Sequence, residues 1–350
     1  MKKNRLFAAF TAAALALSLA ACGSSPAYTA STASGSAPAS ASAAAESFKV
    51  GIVQYTSHSS LDEICNAIQS ELTSLSEESL AAGGPAIQFE VQNGQADTAT
   101  LNDICKLFVS DGVDLIIPIA TPAATAAAAA VQGTDIPLVY SAVTDPVGAQ
   151  LADSMEAPGQ NITGTSDYID TNKILDLALA ANPELKTLGL IYNLGEPNSV
   201  TTIANMKPVL EEKGITAVES TVTNAGEVQL ATKNLLAQGA EAIFVPIDNT
   251  VADGMAVLAT TAIEAGVPVY TAADSMVRDG GLATTGVNYT KLGQLTAQMA
   301  VDILNGADPA ATPVQVLNDG ITTVNTTTAA ALSIDPEIFD LTGDGYIAVE

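Results

Sequence analysis

Residues 112–122 read GVDLIIPIATP, and residues 239–249 read GAEAIFVPIDN. In each stretch a glycine precedes a short apolar run, which ends at polar side chains. An apolar run of this length predicts a β-strand that is buried on both faces, as in a parallel sheet covered by helices. A second pair of stretches also matches, IPLVYS at 136–141 and VPVYT at 267–271. The repetition predicts two lobes built on one plan.

The segments around these strands alternate between strand and helix patterns. Predicted strands occupy 49–54, 87–92, 114–119 and 136–141 in the first half, and 187–192, 215–221, 241–246 and 267–271 in the second. Predicted helices occupy 61–75, 98–110, 122–131, 198–213, 227–238 and 250–265. This alternation predicts an α/β fold with two Rossmann-like lobes and parallel sheets. Ligands of such sheets bind beyond the carboxyl ends of the strands, which predicts a cleft between the lobes.

The composition excludes several classes of function. The chain has 350 residues, 38 acidic and 12 basic side chains, and a net charge of −26. Nucleic acids and anionic lipid head groups need clustered Lys and Arg, so neither is expected as a partner. One His and three Cys provide no set of zinc ligands and no obvious Ser-His-Asp triad. We therefore expect no catalytic residues, no metal and no cofactor.

The amino terminus has the pattern of an export signal. Lys2, Lys3 and Arg5 precede an apolar run over 6–17 and the tetrapeptide LAAC at 19–22. These features predict a signal peptide over 1–21, and the LAAC tetrapeptide resembles a bacterial lipobox, which implies a Cys22 acylated with chains such as palmitate. The alternative is an ordinary signal peptide cut near Ala21. Residues 22–47 would form a Ser- and Ala-rich tether, so we expect an extracytoplasmic protein held at the cell membrane only by its lipid anchor.

Polar side chains follow the predicted strands and are the candidates for ligand binding. Helix capping is the alternative for Thr121, Asn198 and Asn249, because each stands just before a predicted helix. The loops contribute hydroxyl, amide and carboxylate groups and few basic ones. The candidates are Tyr55, His58, Thr121, Pro122, Asp145, Asn193, Glu196, Asn198, Ser199, Asp248, Asn249, Thr250 and Asp274.

These loops resemble those of the substrate-binding lipoproteins of ABC importers, a family with the type I periplasmic-binding-protein fold. The resemblance covers about residues 50–334 and implies a small-molecule ligand and, as partners, an ABC permease and its ATPase. Some members bind aromatic amino acids such as tryptophan or tyrosine. The matching phrases are HSSLD (58–62), QNGQAD (92–97), ATPAA (120–124), AVTDPVG (142–148), NITGTS (161–166, which adds Ser166 to the candidates), YNLGEPNS (192–199), PIDNT (246–250) and GLATTG (281–286).

The resemblance also implies a three-crossing hinge, near Gly164, Val287 and Thr312. Lobe one would then contain residues 48–164 and 288–312, and lobe two residues 165–287 and 313–336. An amino-acid carboxylate would be held by hydroxyls and backbone N–H groups at helix starts, with Thr121 and Thr250 as candidates. Its ammonium would pair with Asp145, Asp248 or Asp274, and its side chain would lie against groups such as Tyr55 or Tyr289.

Three other functions remain open from the sequence. A surface receptor or adhesin can use the same fold without transport. An anchored hydrolase would use His58 and the Ser-rich loop beside it. A sugar receptor is disfavoured because the chain has only 8 Tyr, 7 Phe and no Trp to stack on sugar rings.

Two further features are predicted to be structural. Cys65 and Cys105 are expected to be buried and reduced, with a disulfide as the alternative. Residues 337–350 are expected to form an acidic tail. Within the tail, Asp340, Thr342 and Asp344 resemble the first ligands of an EF-hand loop, but the closing Glu350 stands one position early, so calcium binding is the weaker alternative.

Overall fold

The computed structural model describes residues 47–317 and 320–350. The predicted signal peptide, Cys22 and nearly all of the predicted tether therefore lie outside the described residues. Within the described chain no helix is both long enough and apolar enough to cross a membrane.

Lobe one is a six-stranded, wholly parallel sheet with the strand order β11-β5-β4-β3-β1-β2. All five residues of its central strand β3 are buried, as the apolar run predicts. Its elements before the first crossing are β1 (Ser47–Gln54), α1 (Ser59–Ala81), β2 (Ala86–Asn93), α2 (Thr98–Ser110), β3 (Leu115–Ile119), α3 (Thr121–Ala130), β4 (Leu138–Tyr140) and β5 (Ile162–Ser166).

Lobe two is a seven-stranded sheet with the order β13-β12-β10-β9-β8-β6-β7, in which only the β10–β12 pair is antiparallel. Its first elements are α4 (Thr171–Ala181), β6 (Thr187–Asn193), α5 (Pro197–Glu212), β7 (Thr216–Val222), α6 (Val228–Ala237), β8 (Ala242–Val245), α7 (Asn249–Asp253), α8 (Met255–Glu264), β9 (Val269–Thr271), α9 (Asp274–Arg278) and β10 (Ala283–Gly286). The predicted α/β fold with two parallel-sheet lobes is confirmed.

The last part of the chain contributes to both lobes. Helix α10 (Tyr289–Leu304) packs on α1, and β11 (Gln315–Val316) pairs with β5, so both belong to lobe one. Strand β12 (Ile321–Asn325), helix α11 (Thr326–Ala331) and strand β13 (Ile347–Val349) belong to lobe two.

The chain crosses between the lobes three times. One crossing lies between β10 and α10, around Val287. The other two lie later than the expected positions, because Gly164 is inside β5 and because β11 keeps the chain in lobe one beyond Thr312. The crossings therefore follow Ser166 and Val316.

Two local predictions differ from the structure. The helix expected over 250–265 is divided into α7 and α8 at Gly254, where an added Cβ would come within 2.7 Å of the Val228 side chain. Residues 337–350 contain β13, which pairs in parallel with β12 at the edge of the lobe-two sheet. In the same segment, the carboxylate of Asp340 accepts hydrogen bonds from the backbone of Gly343 and Gly345.

Candidate functional site

A cavity lies between the lobes, at the carboxyl ends of the parallel strands. Both lobes contribute to its walls, which places it where the fold predicts a ligand. It is lined by His58, Ser60, Leu61, Ala120, Thr121, Ala142, Asp167, Asn198, Ile247, Asp248, Asn249, Ala252, Ala273, Met276 and Tyr289.

The lobes touch directly around this cavity. Nε2 of His58 lies 3.1 Å from Oδ1 of Asn249, and the hydroxyls of Ser60 and Ser275 are hydrogen-bonded. At the rim, Ser59 donates to Asp279 at 2.6 Å, and Arg278 lies 3.5 Å from Glu63. The structure therefore presents a closed arrangement of the two lobes.

The helices α1 and α3 in lobe one begin at the cavity without side-chain caps. Their N-cap residues are His58 and Ala120, and neither side chain accepts a backbone N–H. By contrast, Asp97 caps α2 and Asn288 caps α10. First-turn N–H groups have no partner inside a helix and carry the positive end of its dipole. Asp62 already lies in the first turn of α1, whereas the first turn of α3 has no acidic residue. The start of α3 is thus the part of the lobe-one wall suited to a negative group.

Thr121 strengthens this anion-binding character. It is the first residue of α3 and is 2% exposed, and its Oγ1 is one of the buried polar atoms of the described chain that has no hydrogen-bond partner. The preceding Ala120 has φ +78°, a backbone conformation that costs energy for a residue with a Cβ. Neither Thr121 nor Asn198 nor Asn249 is an N-cap residue, so the capping alternative for these three is wrong: Ala120, Glu196 and Asp248 hold those positions.

Asp167 places a buried carboxylate at the hinge end of the cavity. It is 1% exposed and accepts hydrogen bonds from the hydroxyls of Thr144 (2.9 Å) and Tyr289 (3.3 Å). Both donors are neutral, so neither brings a positive charge. Burial raises the pKa of Asp167 to about 6. A buried carboxylate without a cationic partner is costly in the empty protein, and an ammonium group of a ligand would offset that cost.

The sequence predictions do not include Asp167. It directly follows β5, whose sequence ITGTS lacks the apolar run that marks the other strands. The phrase NITGTS at 161–166 ends one residue before Asp167. The position of Asp167 directly after this phrase is the sequence signal that could have identified it.

The lobe-two wall is built around the first turn of α7. Glu196, 1% exposed, accepts from the backbone N–H and side chain of both Asn249 and Thr250, at 2.6–3.0 Å. Asp248 accepts from the backbone of Asn193 and Val251 at 2.7 and 2.9 Å. Burial raises the pKa of Glu196 to about 7 and also raises that of Asp248. These carboxylates therefore already occupy the donors at the start of α7.

Five of the predicted residues line the cavity, and nine do not. Thr250 points its hydroxyl at Glu196, so it does not offer a free donor to a ligand carboxylate, in contrast to Thr121. The five residues in the lining are His58, Thr121, Asn198, Asp248 and Asn249.

The other predicted residues have local roles. Asp145 accepts from the backbone of Gly148, and Asp274 forms an ion pair with Arg278 on α9. Burial raises the pKa of Asp274 to about 6, against the effect of the Arg278 charge. The hydroxyls of Ser166 and Ser199 donate to the carbonyls of Thr144 and Ile247, and Pro122 is in the first turn of α3.

Tyr55 and Asn193 are buried but are not part of the lining. Burial and the charges of Glu196 and Asp248 raise the pKa of Tyr55 to about 12. Asn193 uses its side chain to donate to Thr250 and to accept from Gly195.

Among the described residues no cluster of three or more His, Cys, Asp or Glu side chains is arranged to hold a metal. This includes the loop around Asp340, where the sequence resembles the start of an EF-hand.

A family model described as "ABC transporter substrate binding protein" matches residues 49–337. The chain belongs to the ABC transporter substrate-binding protein family. Members of this family bind small molecules outside the cytoplasm and work with an ABC transporter. The cleft between the lobes is accordingly the expected place for the ligand of this substrate-binding protein.

Individual relatives of this substrate-binding protein are about one-third identical to it. A protein named tyrosine-binding protein from Clostridioides difficile (strain R20291) is 34% identical over 285 residues, which cover 81% of each chain. A Streptococcus pneumoniae domain solved in complex with L-Trp is 32% identical, with a TM-score of 0.78, and the match covers 87% of this chain and all of that one.

Another solved structure differs in the arrangement of its lobes. The ligand-free, open structure of a Clostridium difficile substrate-binding protein with adhesive properties is 34% identical, with a TM-score of 0.64 over 87% of this chain and 99% of that one. Its identity is as high as that of the L-Trp complex, but its TM-score is lower. This difference agrees with the contacts between the lobes and indicates that the present structure resembles the ligand-bound arrangement more than the open one.

Proposed function

We propose that this protein captures a free amino acid with an aromatic side chain in the cavity between its lobes and delivers it to the permease of an ABC importer. The observation that carries the proposal is the pairing, in one buried cavity, of the Asp167 carboxylate with the uncapped start of α3 at Thr121. These two groups suit the opposite charges of a zwitterion.

The ammonium group of the ligand would bind Asp167. Each carboxylate oxygen already accepts one hydroxyl and has a further lone pair to offer. In a site that excludes water, a charge-assisted hydrogen bond is stronger than one between neutral groups. Asp167 therefore replaces Asp145, Asp248 and Asp274 as the preferred partner of the ammonium.

The carboxylate of the ligand would bind the amino-terminal end of α3. The Thr121 hydroxyl and the backbone N–H groups of Thr121 and Ala123 are the available donors there, since Pro122 lacks an N–H. Arg278, the single arginine after the predicted signal peptide, is at the rim with Asp274 and Glu63. Binding by helix N–H groups and a hydroxyl is therefore preferred over binding by a guanidinium.

The side chain of the ligand would lie against the apolar part of the lining. Leu61, Ile247, Ala252, Met276 and Tyr289 supply aliphatic, thioether and aromatic surface. The names of the two relatives, one tyrosine-binding and one bound to L-Trp, support an aromatic ligand.

Closure of the lobes would couple ligand capture to transport. The hydrogen bond between His58 and Asn249 and that between Ser60 and Ser275 join opposite lobes, so they form only in the closed state. A ligand that contacts both lobes shifts the equilibrium towards closure, and the permease would then recognise the closed form.

We further propose that the protein is not an enzyme and that Cys22 carries the lipid anchor. The contact of His58 with Asn249, rather than with a hydroxyl or thiol, does not suit a catalytic base. Replacement of Cys22 with Ser would abolish labelling by a radioactive fatty acid and release the protein from membranes. Unchanged labelling of Cys22→Ser would refute the anchor.

Adhesion is a second candidate function, favoured by the adhesive properties named for the open Clostridium difficile relative. The two functions are compatible, because a binding cleft leaves the outer surface available. The two functions can be separated by comparing cells that lack the gene with cells that carry an Asp167→Asn copy, both for attachment and for amino-acid uptake. Adhesion should survive that substitution, whereas uptake should not.

The direct test is a thermal-unfolding screen of residues 47–350 against the twenty amino acids and common sugars. A ligand at about 100 times its Kd stabilises the native state by about 2.7 kcal/mol. We expect tryptophan or tyrosine to raise the Tm and sugars to leave it unchanged. A shift with sugars and none with amino acids would refute the proposal.

A further inference from the structure

Two residues of the cavity lining each carry a buried side-chain atom that can only accept a hydrogen bond and that has no donor. These atoms are Nδ1 of His58 and Oδ1 of Asn198. Both are buried, and both are unpartnered among the residues that the structure describes. An unpaired buried acceptor destabilises a protein, so a pair of them in a ligand cavity points to a donor that arrives with the ligand.

The orientation of Asn198 follows from its contact with a carbonyl. Its Nδ2 lies 2.6 Å from the backbone oxygen of Ile247. A carbonyl oxygen only accepts, so the NH₂ end of the amide must face Ile247. The opposite end of the amide, Oδ1, is then an acceptor with no remaining freedom to become a donor.

The state of His58 is fixed by a chain of hydrogen bonds from Glu196. The Glu196 carboxylate accepts from Nδ2 of Asn249 at 2.6 Å, which leaves Oδ1 of Asn249 to face Nε2 of His58 at 3.1 Å. Since that amide oxygen only accepts, Nε2 of His58 must carry the proton. Burial lowers the pKa of His58, so the ring is neutral at pH 7 and its other nitrogen, Nδ1, is an acceptor.

The position of His58 separates it from the proposed ammonium site. Asp167 follows β5 and His58 follows β1, and two strands, β4 and β3, lie between them in the sheet. Adjacent strands are about 4.8 Å apart, so these two strand ends are separated by roughly 14 Å. Thr121 follows β3, which is adjacent to β1, so an amino acid with its ammonium at Asp167 and its carboxylate at Thr121 would have its carboxylate end nearer to His58. Its side chain would extend from there towards His58.

We propose that Nδ1 of His58 and Oδ1 of Asn198 select amino acids whose side chain carries an uncharged O–H or N–H donor, as in the phenol of tyrosine or the indole of tryptophan, over phenylalanine. This inference rests on the proposed function, because it assumes an amino-acid ligand. Phenylalanine fills the same apolar space but leaves both acceptors unpaired. A buried acceptor without its partner weakens binding by about 10- to 100-fold.

The first test uses the unaltered protein and a series of ligands, so it does not depend on the folding of any variant. Isothermal titration calorimetry would give the Kd of tyrosine, phenylalanine and 4-methoxyphenylalanine, and of tryptophan and 1-methyltryptophan. We expect phenylalanine and the two methylated ligands to bind at least 10-fold more weakly than their parent ligands. Phenylalanine binding as tightly as tyrosine and tryptophan would overturn the inference while leaving the proposed function intact, whereas absence of binding by every amino acid would refute the proposed function itself.

The second test assigns the selectivity to the two side chains. His58→Phe and Asn198→Ala should each lower the ratio of the phenylalanine Kd to the tyrosine Kd by at least threefold. Asn205→Ala, a change at an exposed position of the same helix as Asn198, should leave the ratio unchanged. If His58→Phe and Asn198→Ala weaken both ligands by the same factor, the acceptors serve the ammonium group, and the inference is overturned.

Discussion

Replacement of Asp167 with Asn should weaken ligand binding without destabilising the empty protein. The substitution keeps the shape of the side chain and removes its charge. The hydroxyls of Thr144 and Tyr289 can each donate or accept, so both hydrogen bonds of the side chain can persist. The change therefore isolates the charge of the carboxylate.

The structure predicts that Asp167→Asn maintains or raises the stability of the empty protein but weakens ligand binding. Burial raises the pKa of Asp167 from 3.8 to about 6, which corresponds to about 3 kcal/mol of destabilisation when the group is ionised. The neutral amide of the Asp167→Asn variant would not bear this cost, so the Tm of the empty protein should stay the same or rise at pH 7.5. Loss of one partner from a buried charge pair costs at least about 2 kcal/mol, so the Kd for the amino acid should increase by about 30-fold or more.

Calorimetric titration and thermal unfolding of the same samples would measure both effects. Asp170→Asn is a matched control three residues away: Asp170 caps α4, and Asn caps a helix equally well. It should change neither quantity. An Asp167→Asn protein that binds within threefold of the wild-type Kd would refute the assignment of Asp167 to the ammonium, and a fall in Tm together with weaker binding would indicate a structural role.

Three other predictions concern pH, the hinge strand and the thiols. The pKa of Asp167 is about 6, and the ionised carboxylate would bind the ammonium of the ligand. The affinity should therefore be constant between about pH 7 and pH 8, where the ligand ammonium is still protonated, and should fall towards tenfold per unit below about pH 6. A Kd that is flat down to about pH 5 would contradict this. Gly164→Ala should destabilise the protein by about 1–3 kcal/mol in urea unfolding, since φ is +156° and the new Cβ would collide with the carbonyl oxygen of Tyr140; an unchanged midpoint would contradict the packing. Cys65 and Cys105 are free and buried, and burial raises the pKa of the Cys105 thiol to about 11. Both thiols should therefore react with a thiol reagent only after unfolding. Prompt reaction in the native state would contradict their burial.

Much of the fold follows from the apolar strands alone. The runs at 114–119 and 241–246 predict β3 and β8 to within a residue or two, because strands covered by helices on both faces must be apolar throughout. The polar loops after these strands predict the cleft. This reasoning needs only the local pattern and the rule that places ligands at the carboxyl ends of parallel strands.

Strand β5 is not predictable in this way. Its sequence, ITGTS, is fully buried, but its threonines are satisfied by polar partners: Thr165 bonds to Thr296, and Thr163 donates to the carbonyl of Thr312. Those partners are more than 130 residues away in the sequence. Because β5 is not predicted, the first crossing is expected at Gly164, inside the strand, and Asp167, which follows the strand, is not recognised.

Only the tertiary structure shows that the hydroxyl of Thr250 is not free to bind a ligand carboxylate. Thr121 and Thr250 both lie in the first turn of a helix that follows a central strand, Thr121 as the first residue of α3 and Thr250 as the second residue of α7. The difference between them is Glu196, which reaches the first turn of α7 from another loop and accepts the Thr250 hydroxyl. The first turn of α3 receives no such carboxylate, and the Thr121 hydroxyl remains unpartnered within the described chain. A single sequence does not reveal that contact.

The measurement that tests the central claim most directly is the binding of L-tryptophan compared with that of two analogues, each of which lacks one of its charged groups. Tryptamine has no carboxylate, and indole-3-propionate has no ammonium. If the start of α3 and Asp167 bind the two ends of a zwitterion, calorimetry should show L-tryptophan binding at least about 30-fold more tightly than either analogue. An analogue that binds as tightly as L-tryptophan would contradict the claim that this cavity recognises an amino acid by its two charges.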